Sequence, residues 1–133
     1  MIRKDYLIKQ FEEFAKVMAR LFGLRKSGPS QHLDAEIKDA VRRFTDLELE
    51  QVEGLDTASL NTLVATLDDD RLKMLADLLF ERMHFYLLEN DDEKSLMLRE
   101  RCQLLYRTLK GRQSHVFDMG IYYREQYLGP PEE

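Results

Sequence analysis

Apolar side chains recur along this chain at the spacing of an α-helix. In the first segment Leu7, Phe11, Phe14, Met18 and Leu21 follow one another at steps of four, three, four and three, which places them on one stripe. Gly23 and then Ser27-Gly28-Pro29 supply stop signals, so the spacing predicts a helix from about Arg3 to Leu24. Ser30 can cap a second helix with the stripe Leu33, Ile37, Ala40, Val41 and Phe44, continuing toward Gly54. Asp56 or Thr57 caps a short third one bearing Leu60, Leu63, Val64 and Leu67. A fourth, from about Asp69 to Asn90, is apolar nearly all round. Leu72, Leu75, Ala76, Leu79, Met83, Tyr86 and Leu87 form one face, and Met74, Leu78, Phe85 and Leu88 widen it. Such a helix must be covered on more than one side, which places it at the centre of a bundle or across an oligomer interface.

Beyond it, Leu98, Cys102, Leu105 and Leu109 mark a fifth helix that stops at Gly111, and Ser114 can cap a last one bearing Val116, Met119, Tyr123 and Tyr127. The strand period of two is absent. The expected fold is therefore all-α, about six helices in one domain over residues 1–128, with 129–133 a frayed tail. Asp68-Asp69-Asp70 falls where the fourth helix begins, and negative charge there complements the helix dipole. The stretch Met83-His84-Phe85-Tyr86-Leu87-Leu88-Glu89-Asn90-Asp91-Asp92-Glu93 reads as a tight corner between two packed helices. It lacks the alternating oxygen ligands and central glycine of a calcium loop.

Aligned on that corner, Leu79 and Tyr86 stand where a tetratricopeptide repeat has its large residue and its tyrosine, and Ser95 and Cys102 stand where it has small residues. Around Ser27-Gly28-Pro29, Ile37 and Ala40 fall at two more such places. Arg82, Met83, Arg99 and Leu33 depart from the pattern, and the two turns are too far apart for a tandem array. The opening Ile2-Arg3-Lys4-Asp5-Tyr6, the Leu21-Phe22-Gly23-Leu24 corner and Gly54-Leu55-Asp56 make most of the chain resemble a family of small, uncharacterised bacterial helical proteins classed as a domain of unknown function. The resemblance implies antiparallel, tetratricopeptide-like hairpins and brings no activity with it.

Charge changes this picture modestly. The net of −5 is distributed in blocks: +4 over residues 1–26, −10 over 27–98, +4 over 99–112 and −3 over 113–133. An acidic total argues against nucleic acid as a partner. No uninterrupted apolar run approaches the roughly 20 residues of a membrane helix. The charged opening MIRKDYLIKQFEEF does not read as a signal peptide, and a single cysteine suits a reducing compartment, so a cytoplasmic location without membrane attachment is expected.

Candidate chemistry is sparse. His84 and Tyr86 could form a core site for a small ligand or a general base with Glu81 or Glu89, but His84 also falls on a polar strip with Asp77, Glu81 and Asn90 that is expected to face solvent. His32 with Glu36, and His115 with Asp118, each make at most half of a metal site. Cys102 is expected to be a buried, inert thiol. Complete catalytic, metal or cofactor motifs are missing. The expected role is accordingly a non-catalytic interaction module, holding a protein or peptide partner or pairing as a homodimer. Phe117, Tyr122, Tyr123 and Tyr127 are its candidate contact surface, since tyrosine offers large area with a polar tip.

Overall fold

The computed structural model describes residues 2–27, 30–112, 124 and 126–129. Among these there is no strand, and six helices are built: α1 (Ile2–Ser27), α2 (Ser30–Thr45), α3 (Leu49–Glu53), α4 (Thr57–Thr66), α5 (Asp69–Leu88) and α6 (Asp92–Gly111). No helix among the described residues is long and apolar enough to cross a membrane.

Cross-helix pairs fix the directions. Phe14 meets Phe44 with ring centroids 5.1 Å apart and Arg20 meets Glu36 at 2.7 Å, so α1 and α2 run antiparallel. Ser95 reaches the Met83 carbonyl and Cys102 reaches that of Ala76, so α5 and α6 do too. Arg71 pairs with Asp46 and Arg82 with Asp34, which sets α2 against α5 in the same sense. Lys73 lies over Phe14 while Arg25 bonds Glu81, so α1 and α5 are parallel. The result is two hairpins packed side by side, with α3 and α4 carrying the chain between them.

At the centre is α5, packed against α6, α2 and α1 of its own chain. Leu72, Met74, Leu75, Leu78 and Leu79 are all fully buried, and each such side chain is worth roughly 2 kcal/mol of apolar burial. The expected centrality of this helix is thus met within one chain.

Local sequence explains the ends. Asp56, Asp68 and Asp91 cap α4, α5 and α6, accepting from the amides of Ser59, Arg71 and Lys94 at 2.7, 2.9 and 3.1 Å. At the acidic corner Asn90 takes a left-handed φ of 59°. The Asn90 amide bonds the Leu87 carbonyl and the Asp91 amide that of Tyr86, at 3.1 and 2.9 Å, which closes α5 in a Schellman turn before Asp91 opens α6. The stretch is a corner, as its composition suggests.

Two boundaries differ from expectation. α1 runs through Gly23 to Ser27, because Leu21 and Leu24 keep packing on the core, and one interior glycine costs only about 1 kcal/mol. α2 stops at Thr45, where Asp46 turns left-handed at φ 60°, and a separate short α3 follows before Gly54. The last expected helix and His115 with Asp118 lie largely outside the described residues, as do Phe117, Tyr122 and Tyr123.

Candidate functional site

The nearly all-round apolar pattern of α5 is interrupted by Lys73, Asp77 and Glu81, spaced four apart and therefore stacked on one face. This face is inside. Asp77 and Glu81 are 1% and 3% exposed, so these two members of the strip expected to face solvent are instead sealed between helices, while His84 is half-buried and Asn90 at the corner is exposed. Lys73 Nζ lies 2.6 Å from Asp77 Oδ2, and the Tyr106 hydroxyl of α6 donates to Asp77 Oδ1 at 2.6 Å, where Arg124 also approaches at 3.4 Å. Three donors thus offset the burial of one carboxylate. Burial, with the charge of Asp77 behind it, raises the Tyr106 hydroxyl well above its ordinary range and keeps it a proton donor.

Glu81 is less well served. Arg25 bonds Oε2 at 3.3 Å while Oε1 is buried with no hydrogen-bond partner. Burial raises its pKa against the opposing pull of Arg25 and Arg124.

On the other side of α5, Arg82 holds together three elements. Its guanidinium bonds Asp34 of α2 and Glu53 of α3, and Glu53 accepts the Tyr86 hydroxyl at 2.6 Å. Burial alone would raise the Asp34 carboxyl, but Arg82 and then Lys38 hold it below the usual range. Tyr86 is pushed up to about 12, chiefly by burial and then by its bond to Glu53. This is an interhelical clamp.

The two sequence-predicted ligand candidates therefore diverge. Tyr86 points to Glu53, whereas His84 stands against Phe80 and Tyr127, its ring 4.9 and 5.2 Å from theirs. Burial, aided by the positive charge of Arg25, lowers the His84 pKa to about 4, so the imidazole is neutral near pH 7. Cys102 is fully buried beside Asp77 and its thiol is pushed up by that burial, as a small residue in a helix seam should be. His32 is exposed, and Glu36 is taken by Arg20. Among the described residues no three His, Cys, Asp or Glu side chains gather in a way that could hold a metal ion.

The chain gives no match to protein-family models, to curated proteins or to solved structures.

The open features are on the outside. Between α4 and α6 runs a groove of about 300 Å³, lined by Thr57 and Leu60 on one side and by Met97, Glu100, Arg101, Gln103, Leu104 and Arg107 on the other. A second, of about 290 Å³, lies between α1 and α2, where Tyr6 and Phe44 supply the apolar walls and Lys9, Glu13 and Arg43 the charge. Tyr6, Phe22, Leu87, Leu88, Leu96 and Tyr127 are large apolar side chains left at the surface. Of the aromatic contact surface expected from sequence, Tyr127 is described, and it is 45% exposed while one ring edge packs on Phe80 and His84. The grooves were missed in the sequence because each is lined by residues more than thirty positions apart, and no local pattern marks them.

Proposed function

We propose that this chain is a non-catalytic interaction module, built of helical hairpins of the tetratricopeptide kind, that binds a protein or peptide partner. The reading rests on a division between inside and outside. Asp77, Arg82, Tyr86 and Tyr106, the side chains best suited to chemistry, are tied to internal partners, whereas grooves and large apolar side chains are left open to solvent. Groups paired in this way hold helices in register and are poorly placed to move protons to a substrate. A catalytic or small-ligand role for His84 and Tyr86 is the weaker reading, because the two side chains serve different neighbours.

The test is affinity capture from cells that naturally express the protein, followed by reconstitution with purified components and light scattering of the chain alone. A stoichiometric complex with a captured protein, or a defined dimer, supports the reading. A strict monomer at high concentration that reconstitutes with nothing captured overturns it.

A further inference from the structure

Seven large apolar side chains are left exposed among the described residues, and five of them, Phe22, Leu87, Leu88, Leu96 and Tyr127, are between 42% and 51% exposed. Contacts between their neighbours place these five on one face of the fold. Arg25 lies over the Phe22 ring, 4.8 Å from its centroid, and its guanidinium reaches Glu81 of α5 at 3.3 Å. One turn on, His84 packs on Tyr127 with ring centroids 5.2 Å apart, and Leu87 and Leu88 follow three and four residues later. Leu128, beside Tyr127, accepts at its carbonyl from Arg99 Nε of α6 at 2.9 Å, and Leu96 precedes Arg99 by three residues on the same side of that helix. The exposed rings and leucines thus cross from α1 over α5 to α6, with the terminal segment in the middle. One exposed apolar side chain is ordinary, but five in one patch mark a contact surface.

Charge is unequal across this face. At the Phe22 margin stand Arg25, which is paired with Glu81, and Lys26, which is exposed with Nζ 4.7 Å from the Phe22 ring centroid. At the opposite margin the α5–α6 corner carries Glu89, Asp91, Asp92 and Glu93 against one cation, Lys94, which stands 3.9 Å from Asp91. Glu89, Asp92 and Glu93 are exposed. Cations nearer the middle are engaged within the fold, Arg99 with the Leu128 carbonyl and Arg124 with Asp77. The face is therefore apolar along its centre, positive at one margin and negative at the other. Rotating such a surface by half a turn about its centre lays each margin on its opposite, so it complements itself, which is the condition for a closed two-fold pair. An anionic membrane would attract one margin and repel the other, and a partner of a single charge would do the same.

We propose that this face pairs two copies of the chain as a two-fold homodimer, with Phe22 and Lys26 of each copy against Leu88, Leu96 and Glu89 of the other and the two Tyr127 side chains at the axis. This rests on the reading of the chain as an interaction module and names the partner as the chain itself. Tyrosine, with its large area and polar tip, suits the centre of such a contact.

Sedimentation equilibrium on the full chain should show monomer and dimer with no larger species, because an isologous contact occupies the face on both copies. Leu88→Asp combined with Leu96→Asp, at half-exposed positions, should give a monomer whose circular dichroism matches the parent chain. Lys26→Glu and Glu89→Lys each set two like-charge pairs across the dimer and should weaken it about tenfold. An equimolar mixture of these two variants restores opposite charges in both pairs, so native mass spectrometry should show the mixed dimer in excess over either homodimer. This mixture decides the matter even if the leucine variant fails to fold, since its substitutions are at exposed charges. A monomer at high concentration, open assemblies larger than a dimer, a dimer indifferent to the leucine changes, or random pairing in the mixture each overturns the proposal. If the chain stays monomeric yet forms a stoichiometric complex with a captured protein, the homodimer fails while the interaction reading stands.

Discussion

Tyr106 on α6 donates its hydroxyl to Asp77 on α5 at 2.6 Å, and neither side chain reaches solvent. This contact stitches the two most extensively packed helices together at a polar point. Tyr106→Phe keeps the ring and removes one donor from a carboxylate that retains Lys73 and Arg124. We expect a loss of about 2 kcal/mol in urea unfolding with the m-value unchanged. A loss below a few tenths would mean that water supplies the missing bond.

Arg82 bridges Asp34 and Glu53 from the buried side of α5. Arg82→Met preserves most of the side-chain volume but leaves Glu53 without its cation and Asp34 with Lys38 alone, so a destabilisation of about 3 kcal/mol is expected. Arg82→Met combined with Glu53→Gln should cost less than the sum of the single changes, as groups in one network are coupled. Additive costs would show that the clamp is not a unit.

His84 makes stability depend on pH. Its pKa falls from about 6.5 in the unfolded chain to about 4 in the fold, so between those values the unfolded state holds more protons and stability rises with pH. Its contribution is present above pH 6.5 and is lost as pH falls toward 4. Comparing His84→Gln with the parent chain across this window should show a flatter profile for the variant, and the imidazole resonances should titrate near pH 4. A midpoint near 6.5 would contradict the burial of the ring.

Glu81 acts with the opposite sign. Its pKa is raised in the fold, so above the ordinary value of 4.5 the native state holds the proton longer and the stability due to this group falls as pH rises. Glu81→Gln removes the cost of ionising a buried group while keeping its shape. The variant should melt higher than the parent at pH 7, with the gap closing below pH 4.5. A lower melting temperature at pH 7 would show that the Arg25 bond outweighs desolvation.

Cys102 has no solvent exposure and a thiol pKa raised by burial. Iodoacetamide at pH 8 should leave it unmodified in the native protein and alkylate it promptly in urea, as read by intact mass. Prompt native labelling would mean that the α5–α6 seam opens readily.

Much of the fold is legible in the sequence because burial imposes a period. The stripe Leu33, Ile37, Ala40, Val41 and Phe44 fixes α2, and apolar residues on several sides of α5 announce its central place. The aspartates at 56, 68 and 91 mark three helix starts through a local bond. What fails is the inference from polarity to exposure. Asp77 and Glu81 share the spacing of a solvated face, and the residues that make them tolerable inside, Tyr106, Arg124 and Arg25, are far along the chain. The break at Asp46 depends on one residue accepting a left-handed backbone, which many aspartates never do. Tyr86 was legible as a buried aromatic, but not its bond to Glu53, since α3 was not resolved from α2 by pattern alone.

Arg112, just past α6, spreads its guanidinium over the carbonyls of Val64 and Leu67 and the carboxylate of Asp69, at 3.0, 2.8 and 3.2 Å. One side chain thereby adds donors to two carbonyls at the close of α4, of which Val64 also accepts from the Leu67 amide, and pairs with an acid at the opening of α5. The final turn of the second hairpin acts as a buckle on the strap that joins the two hairpins.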